Sequence, residues 1–289
     1  MHAETLPPTD VLTAAAEIVG RGGVVVLSGA GLSTESGIPD YRGPGGAYSR
    51  NHTPITYQLF RDDPRGRHRY WARSYIGWPM MRNMQPNAGH LSVAALESSK
   101  LVSGVITQNV DSLHHKAGSS SVIDLHGRLD TVMCMGCGLR GSRDALHARI
   151  AAVNEGWEGA ATRINPDGDV DLPDSSVEAF AMVDCAACGG PLKPDVVYFG
   201  ESVPPARVAD SYAMVDGASS LLVLGSSLHV YSGRRFVTHA HKLGLPIVII
   251  NQGETKADDL ATVRLDAPLG TTLSLLSDLI LTDTRKSNA

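Results

Sequence analysis

Short runs of apolar residues recur along the chain, and most of them end in Gly or in a polar residue. Val24 to Leu27, Val102 to Thr107, Val122 to Leu125, Val196 to Phe199, Leu221 to Gly225 and Pro246 to Ile250 have the length and character of buried parallel strands. Between them lie segments of helical character: Ala14 to Gly20, with Asp10 as a candidate N-cap, Asn87 to Glu97, 203–216 and 233–243. Strands alternating with helices predict an α/β fold, a Rossmann-like doubly wound parallel sheet. Two stretches break the alternation. Residues 44–86 carry most of the aromatic side chains and read as short helices interrupted at Pro54, Pro64 and Pro79, a helical module. Residues 128–194 hold two cysteine pairs and several Gly and Pro, and read as an inserted module. The expected organisation is a sheet domain over 1–43, 87–127 and 195–289, with a smaller domain made of the two modules.

With 289 residues and 43% hydrophobic content the chain can bury a large core. The net charge is −5, and the densest basic run, Arg65 to Arg73, follows two aspartates and reads as a solvated helix face. Nucleic acid is therefore not an expected partner. Met1 to Asp10 has neither the charged and apolar regions of a signal peptide nor the Arg- and Ser-rich character of a transit peptide, and no apolar run approaches 18 residues. No membrane association is expected, and the expected location is the cytoplasm.

The candidate chemistry sits at the strand ends. The first strand runs into Gly29-Ala30-Gly31-Leu32-Ser33, the way α/β proteins bring backbone N–H groups against a phosphate. It is not the usual dinucleotide fingerprint, because Thr34 stands where the third glycine would be, and Asp40 and Arg42 come within the loop itself. Thr107-Gln108-Asn109-Val110-Asp111 ends a second strand, where amides and a carboxylate can read a ribose and a carboxamide or merely cap a helix. His126 follows a third strand as a candidate general base, with His114 and His115 as rivals expected on a helix surface. Gly225-Ser226-Ser227 and Asn251-Gln252-Gly253 end two more strands. Cys134-x-x-Cys137 and Cys185-x-x-Cys188 are two halves of a closed tetrathiolate site, predicting one structural zinc ion rather than a catalytic metal.

Taken in order, these motifs resemble the sirtuins, the NAD-dependent protein-lysine deacylases. The resemblance runs from about residue 10 to 280 and rests on Gly29 to Ser33 with Gly37 to Arg42, Thr107 to Asp111, His126-Gly127, the two cysteine pairs, Gly225 to Ser227 and Asn251 to Gly253. Tyr70 to Arg73, Gly77 to Pro79, Asn165 to Val170 and Tyr231 to Gly233 are similar to class II, the group containing the mitochondrial sirtuin-four. The segment near 163–180 resembles that class's extra loop, and a bacterial member is expected.

The resemblance implies roles. NAD, as co-substrate, would lie across the strand ends, with Gly29, Ala30, Gly31 and Ser33 at the phosphates and Asp40, Tyr41 and Arg42 on the ribose and nicotinamide side. Gln108 and Asn109 would hold the nicotinamide ribose, and Asp111 would help bind the carboxamide. Gly225, Ser226, Ser227, Asn251, Gln252, Gly253 and Leu269 would complete the cofactor site. The acyl oxygen of a modified lysine would attack C1′ as nicotinamide leaves. His126, assisted by Asn109, would then act as base toward a ribose hydroxyl, giving free lysine and 2′-O-acyl-ADP-ribose. An acylated protein would add as a strand between Val197, Phe199, Gly200 and Leu228. Tyr41 stands where many deacetylases of the family have Phe, a change that puts simple acetyl-lysine in doubt as the best substrate. Tyr70 and Arg73 have the Tyr-x-x-Arg spacing that desuccinylases use for acidic acyl groups, against which stands simple packing of a helix. Two alternatives share the site: a protein mono-ADP-ribosyltransferase and a non-catalytic ADP-ribose-binding module.

Overall fold

The computed structural model describes residues 6–43, 45–159, 161 and 163–287. Its larger sheet is parallel throughout and contains β1 (Val24–Ser28), β2 (Val102–Thr107), β3 (Val122–Asp124), β7 (Ser220–Leu224), β8 (Ile247–Ile250) and β9 (Val263–Leu265), in the order β3-β2-β1-β7-β8-β9. A smaller antiparallel sheet contains β4 (Gly127–Cys134), β5 (Arg140–Ser142) and β6 (Leu192–Val196), in the order β5-β4-β6. Only Leu125 and His126 separate β3 of the large sheet from β4 of the small one.

The apolar runs explain the layers. Every residue of β1 is buried, and successive side chains point to opposite faces of the sheet. Val24 and Val26 pack into one core with Val19 of α1 (Thr9–Gly20), Val93 and Leu96 of α4 (Ala88–Ser98), and Leu273 and Leu276 of α10 (Leu269–Ser287). Val25 and Leu27 pack into another with Val215 of α8 (Pro205–Asp216) and Phe236, Val237 and Ala240 of α9 (Tyr231–Lys242). Each such fully buried side chain contributes roughly 1.5–3 kcal/mol. A third core joins the small sheet to α3 (Pro64–Asn83) and α6 (Arg143–Val153) through Trp71, Trp78, Leu129, Val132, Leu146 and Ile150.

Several elements differ from expectation. Asp10 does not cap α1: the helix begins at Thr9, behind Pro8, and Asp10 sits in its first turn. Pro79 does not break its helix. Pro64 opens α3, behind the Asp63 cap, and the helix runs on past Pro79 to Asn83 because one face, from Tyr70 through Trp78 to Met81, is buried. The run Val196 to Phe199 is not a strand of the parallel sheet. Val196 ends β6, paired with Gly127, and Phe199 makes only an isolated bridge with Thr56. The sixth strand is instead β9, whose three residues are too few to register as an apolar run.

Candidate active site

Strand order reverses between β1 and β7, because β2 and β3 lie on one side and β8 and β9 on the other. The crevice at such a switch point is where open α/β sheets bind ligands. Here two loops meet almost backbone to backbone. Gly29 N–H donates to Leu224 O at 2.9 Å and Gly31 N–H to Gly225 O at 2.8 Å. A methyl group on Gly225 would come within 2.3 Å of Leu32 N, and its φ of 59° is in the left-handed region. The glycines of the opening loop thus serve the approach of one loop to another. Gly31 N–H, expected to face a phosphate, is already engaged.

A cavity of about 780 Å³ opens over this crevice. It gathers Gly29, Ala30, Gly31, Ser33, Asp40, Tyr41, Arg42, Gln108, Asn109, Asp111 and His126. Gly225, Ser226, Ser227, Asn251, Gln252 and Gly253 line it too, as do Val197, Phe199, Gly200 and Leu228. Leu269 lies at the start of α10 and lines a smaller adjoining cavity of about 340 Å³ with Gly31, Asn251 and Gln252.

The polar groups form one network. Ser33 Oγ donates to Asp111 Oδ2 at 2.7 Å, and the Asn109 amide donates to Ser33 Oγ at 3.1 Å and to Gly29 O at 3.0 Å. Asp111 also caps the turn into α5 (Leu113–Lys116) by accepting from Leu113 N at 2.8 Å, so it is both a cap and a cavity residue. Burial pushes its carboxyl above the usual range, against the pull of Leu113 N–H and the Ser33 hydroxyl. Gln108 donates to Ser226 Oγ at 2.9 Å, and a methyl group on Gly233 would come within 2.4 Å of Gln108 Oε1. Gly233 therefore keeps the space that the Gln108 side chain fills.

His126 Nδ1 lies 2.9 Å from the main-chain oxygen of Gln108, and its Nε2 lies 2.8 Å from Ser232 Oγ. A carbonyl can only accept, so Nδ1 carries the proton and the Nε2 lone pair takes the Ser232 hydroxyl. Burial, with lesser help from Arg235 and Arg207 and against the Gln108 carbonyl, lowers the imidazole to about 4. At neutral pH it is an unprotonated base on the cavity wall. Ser232 and Arg235 are cavity residues that sequence reasoning gave no role, although the Tyr231-Ser232-Gly233 motif was visible. His114 is not on a surface: it is buried, within 2.9 Å of Ser28 Oγ, and burial lowers it to about 3. His115 is half-buried and pairs with Asp124 at 3.0 Å.

The loop after β1 folds over the cavity mouth. Asp40 Oδ1 accepts from Gly43 N at 2.9 Å, and Tyr41 packs edge-on to Phe199 with ring centroids 5.6 Å apart. Arg42 is exposed and lies over the Tyr48 ring at 5.0 Å. Leu228 is buried with φ at 55°, a costly conformation for a branched side chain, and such residues concentrate at ligand sites. Asn251 holds its own loop by donating to Gln252 O and Gly253 O, both at 2.9 Å.

Tyr70 and Arg73 do not line the cavity. Tyr70 is buried against Phe60, Trp71 and Tyr198. Arg73 donates to Val170 O and pairs with Asp169 at 3.0 Å and Asp171 at 2.8 Å, which ties the loop near 163–180 to α3. The same loop approaches α3 at Gly77, where a methyl group would come within 2.2 Å of Gly168 O. Both side chains thus have partners within the chain, Tyr70 in an aromatic cluster and Arg73 on the loop near 163–180.

Cys134, Cys137, Cys185 and Cys188 bring their sulfurs within 4.8 Å of one another, with Cys134–Cys188 at 3.4 Å and Cys137–Cys185 at 3.9 Å. None is disulfide-bonded. Zn–S bonds of about 2.3 Å in a tetrahedron set sulfurs roughly 3.8 Å apart, so the four fit a structural zinc ion. Backbone N–H groups of Gly136 and Cys137 point at Cys134 Sγ, as in a zinc knuckle.

A doubly wound sheet with a switch-point cleft, a neutral histidine on the cleft wall and a separate tetrathiolate module defines an α/β nucleotide-site protein with a metal-braced small domain. The description Sir2 family matches residues 29–232, and the chain belongs to that family, the sirtuins. It is 54% identical to NAD-dependent protein deacetylase 1 of Streptomyces coelicolor over 276 residues, 96% of this chain and 92% of that one. It is 45% identical to NAD-dependent protein deacylase Sirt4 of Drosophila melanogaster, over 90% of this chain and 84% of that one. Among solved structures, a Sir2 protein described with a p53 peptide and NAD+ superposes with a TM-score of 0.72 at 28% identity, covering 94% of this chain and 98% of that one. A structure of Sir2Tm bound to a propionylated peptide gives 0.73 at 28% identity, covering 93% and 98%.

Proposed function

We propose that the chain is an NAD-dependent protein-lysine deacylase of the class II, bacterial type. The observation that carries the reading is the fixed tautomer of His126: Nδ1–H held by Gln108 O, Nε2 unprotonated beside Ser232, in the cavity that also holds Asn109 and Asp111. When bound, NAD supplies a nicotinamide–ribose bond whose cleavage activates the sugar. The chain's residues do the rest. Asn109 and Gln108, each fixed by hydrogen bonds, orient the nicotinamide ribose, and Asp111 and Ser33 hold the carboxamide side. Gly29, Ala30, Gly31, Gly225, Ser226, Ser227 and the Asn251 to Gly253 loop embrace the nucleotide, with Leu269 at the edge. Asp40, Tyr41 and Arg42 close over it and exclude water. His126 Nε2 accepts a proton from a ribose hydroxyl, and a base that is neutral at working pH suits that task.

The acylated peptide enters as an added strand between the 197–200 segment and Leu228, where both sides of the cavity offer backbone. The relatives named as deacetylases and the peptide-bound solved structures support this reading. No helix among the described residues is long and apolar enough to cross a membrane, and the bacterial relatives support a cytoplasmic location.

The test is to mix the protein with NAD and lysine peptides bearing acetyl, succinyl, lipoyl and 3-hydroxy-3-methylglutaryl groups. Nicotinamide release matched by acyl loss is the expected result. Transfer of labelled ADP-ribose to protein without acyl loss would overturn it.

A further inference from the structure

We infer that Arg235 is a subsite for a carboxylate of the substrate protein, so that acyl-lysines with Asp or Glu two residues away along the strand are favoured. The inference rests on the deacylase reading and concerns the protein part of the substrate, not its acyl chain.

Arg235 lines the cavity, and no hydrogen bond or ion pair joins it to another described residue. Its Nε is buried without a partner, whereas the two Nη nitrogens, equally unpartnered, retain accessible surface. What holds the side chain is aromatic. Its guanidinium carbon lies 5.4 Å from the centre of the Tyr231 ring and 5.9 Å from that of Phe236. Phe236 is fully buried and Tyr231 is 64% exposed, so the guanidinium spans from the core to the rim of the cavity. Helical side chains lean toward the helix N-terminus, which is why Arg235 covers Tyr231, one turn back at the start of α9.

The charges around it are already matched. Of the two arginines whose charge reaches His126, Arg207 pairs with Asp195 at 3.3 Å and Arg235 has no anion. On the cavity wall, Asp111 accepts from Ser33 and Leu113, Asp40 accepts from Gly43, and Glu201 is paired with Lys193 at 2.9 Å. A guanidinium offers a planar fork of donors and no acceptor, and its best complement is a carboxylate bound through two parallel N–H···O bonds. With the carboxylates of the wall engaged elsewhere, that complement comes from outside the chain.

The strand geometry says from where. The substrate strand passes between the 197–200 segment and Leu228, and α9 with its Tyr231–Arg235 rim begins three residues beyond Leu228. Successive side chains of a strand point to opposite faces. When the acyl-lysine points into the cavity, the residues two before and two after it point to the same side, each about 6.6 Å along the strand. The residues next to the lysine point away. The direction of the strand decides which of the two positions passes Arg235.

The probes are acyl-lysine peptides of one sequence, bearing acetyl or lipoyl, with Glu or Gln at the second residue before or after the lysine. A control set carries Glu or Gln at the residues next to the lysine. The readouts are KM and kcat for nicotinamide release with NAD, and equilibrium binding of the same peptides. At one of the two same-side positions the wild-type protein should favour Glu over Gln by about fivefold in KM and in binding, the scale of one partly exposed ion pair, with kcat little changed. The control positions should give a ratio near one. Arg235→Gln should bring the same-side ratio to near one, Arg235→Lys should keep part of it, and Arg235→Glu should invert it. A ratio taken on one preparation cancels any loss of folded protein. A wild-type ratio near one at both same-side positions, or a ratio unmoved by Arg235→Gln, would overturn the assignment. So would an Arg235→Gln effect confined to the choice between a succinyl group and its terminal amide, which would give the guanidinium to the acyl chain. Absence of turnover on every peptide would instead overturn the deacylase reading, and the binding ratio would still decide on Arg235.

Discussion

His126 Nε2 and Ser232 Oγ lie 2.8 Å apart, joining the residue just before β4 of the small sheet to the first turn of α9, which packs on the large one. The hydroxyl satisfies the lone pair that would otherwise be buried and favours the neutral ring. His126→Ala should lower deacylation by at least about a hundredfold, the usual range for loss of a general base. Ser232→Ala should cost much less and should move the acidic limb of the kcat/KM profile to higher pH, since a bond to the neutral form is lost. A profile that does not move would separate Ser232 from the base.

Three histidines with lowered pKa values, His90 and His114 in the core and His126 on the cavity wall, make the fold acid-sensitive. Burial lowers His126 and His90 to about 4 and His114 to about 3, below the ordinary 6.5. Between pH 6.5 and about 4 the unfolded chain binds protons that the folded chain refuses. Stability should therefore be full above pH 6.5 and fall as pH drops, by up to about 1.4 kcal/mol per pH unit for each histidine. Urea midpoints measured from pH 7.5 to 4.5 test this; midpoints that hold steady or rise toward pH 4.5 would contradict it.

Gly225→Ala places a methyl group 2.3 Å from Leu32 N and 2.7 Å from Gly31 C, on a residue with φ at 59°. Neither neighbour is the end of a flexible side chain. The substitution should cost about 3 kcal/mol, the sum of overpacking and left-handed strain. A denaturation midpoint equal to that of the unsubstituted protein would show that the two loops do not hold each other at this distance.

Metal analysis should find about one zinc per chain. Chelation, or Cys185→Ala, should loosen the small sheet first, because the four sulfurs stand at the ends of β4 and the turn before β6. Hydrogen exchange should rise across residues 128–196 well before it rises across β1, β2 and β7. Uniform protection after complete zinc removal would count against the site.

The sheet was legible because buried parallel strands are continuous apolar runs bounded by polar residues, as β1, β2, β7 and β8 are. The zinc module was legible because two Cys-x-x-Cys turns have few other uses. What escaped has physical reasons. β6 contains Lys193 and Pro194, which hide its strand character, while the residues after it are more apolar. Pro79 has a local preference against helix, and the buried face that carries α3 through it is set by tertiary packing. Ser232 and Gly233 meet residues more than a hundred positions away, His126 and Gln108, so the motif that contains them was visible while their partners were not. Arg73 is the opposite case. Its spacing suggested a ligand, while its partners Asp169 and Asp171 lay in a loop whose return to α3 no periodicity reveals.

The short step from β3 to β4 gives one strand two jobs. β4 has His126 just before its first residue and Cys134 as its last. At about 3.3 Å per residue it is a rod of roughly 25 Å with the proton acceptor at one end and the metal clasp at the other. Only the irregular pairing between Arg128 and Val132 interrupts the strand between the two, and no loop separates them. Metal loss would therefore loosen the strand that carries the base, while the parallel sheet beneath has cores of its own.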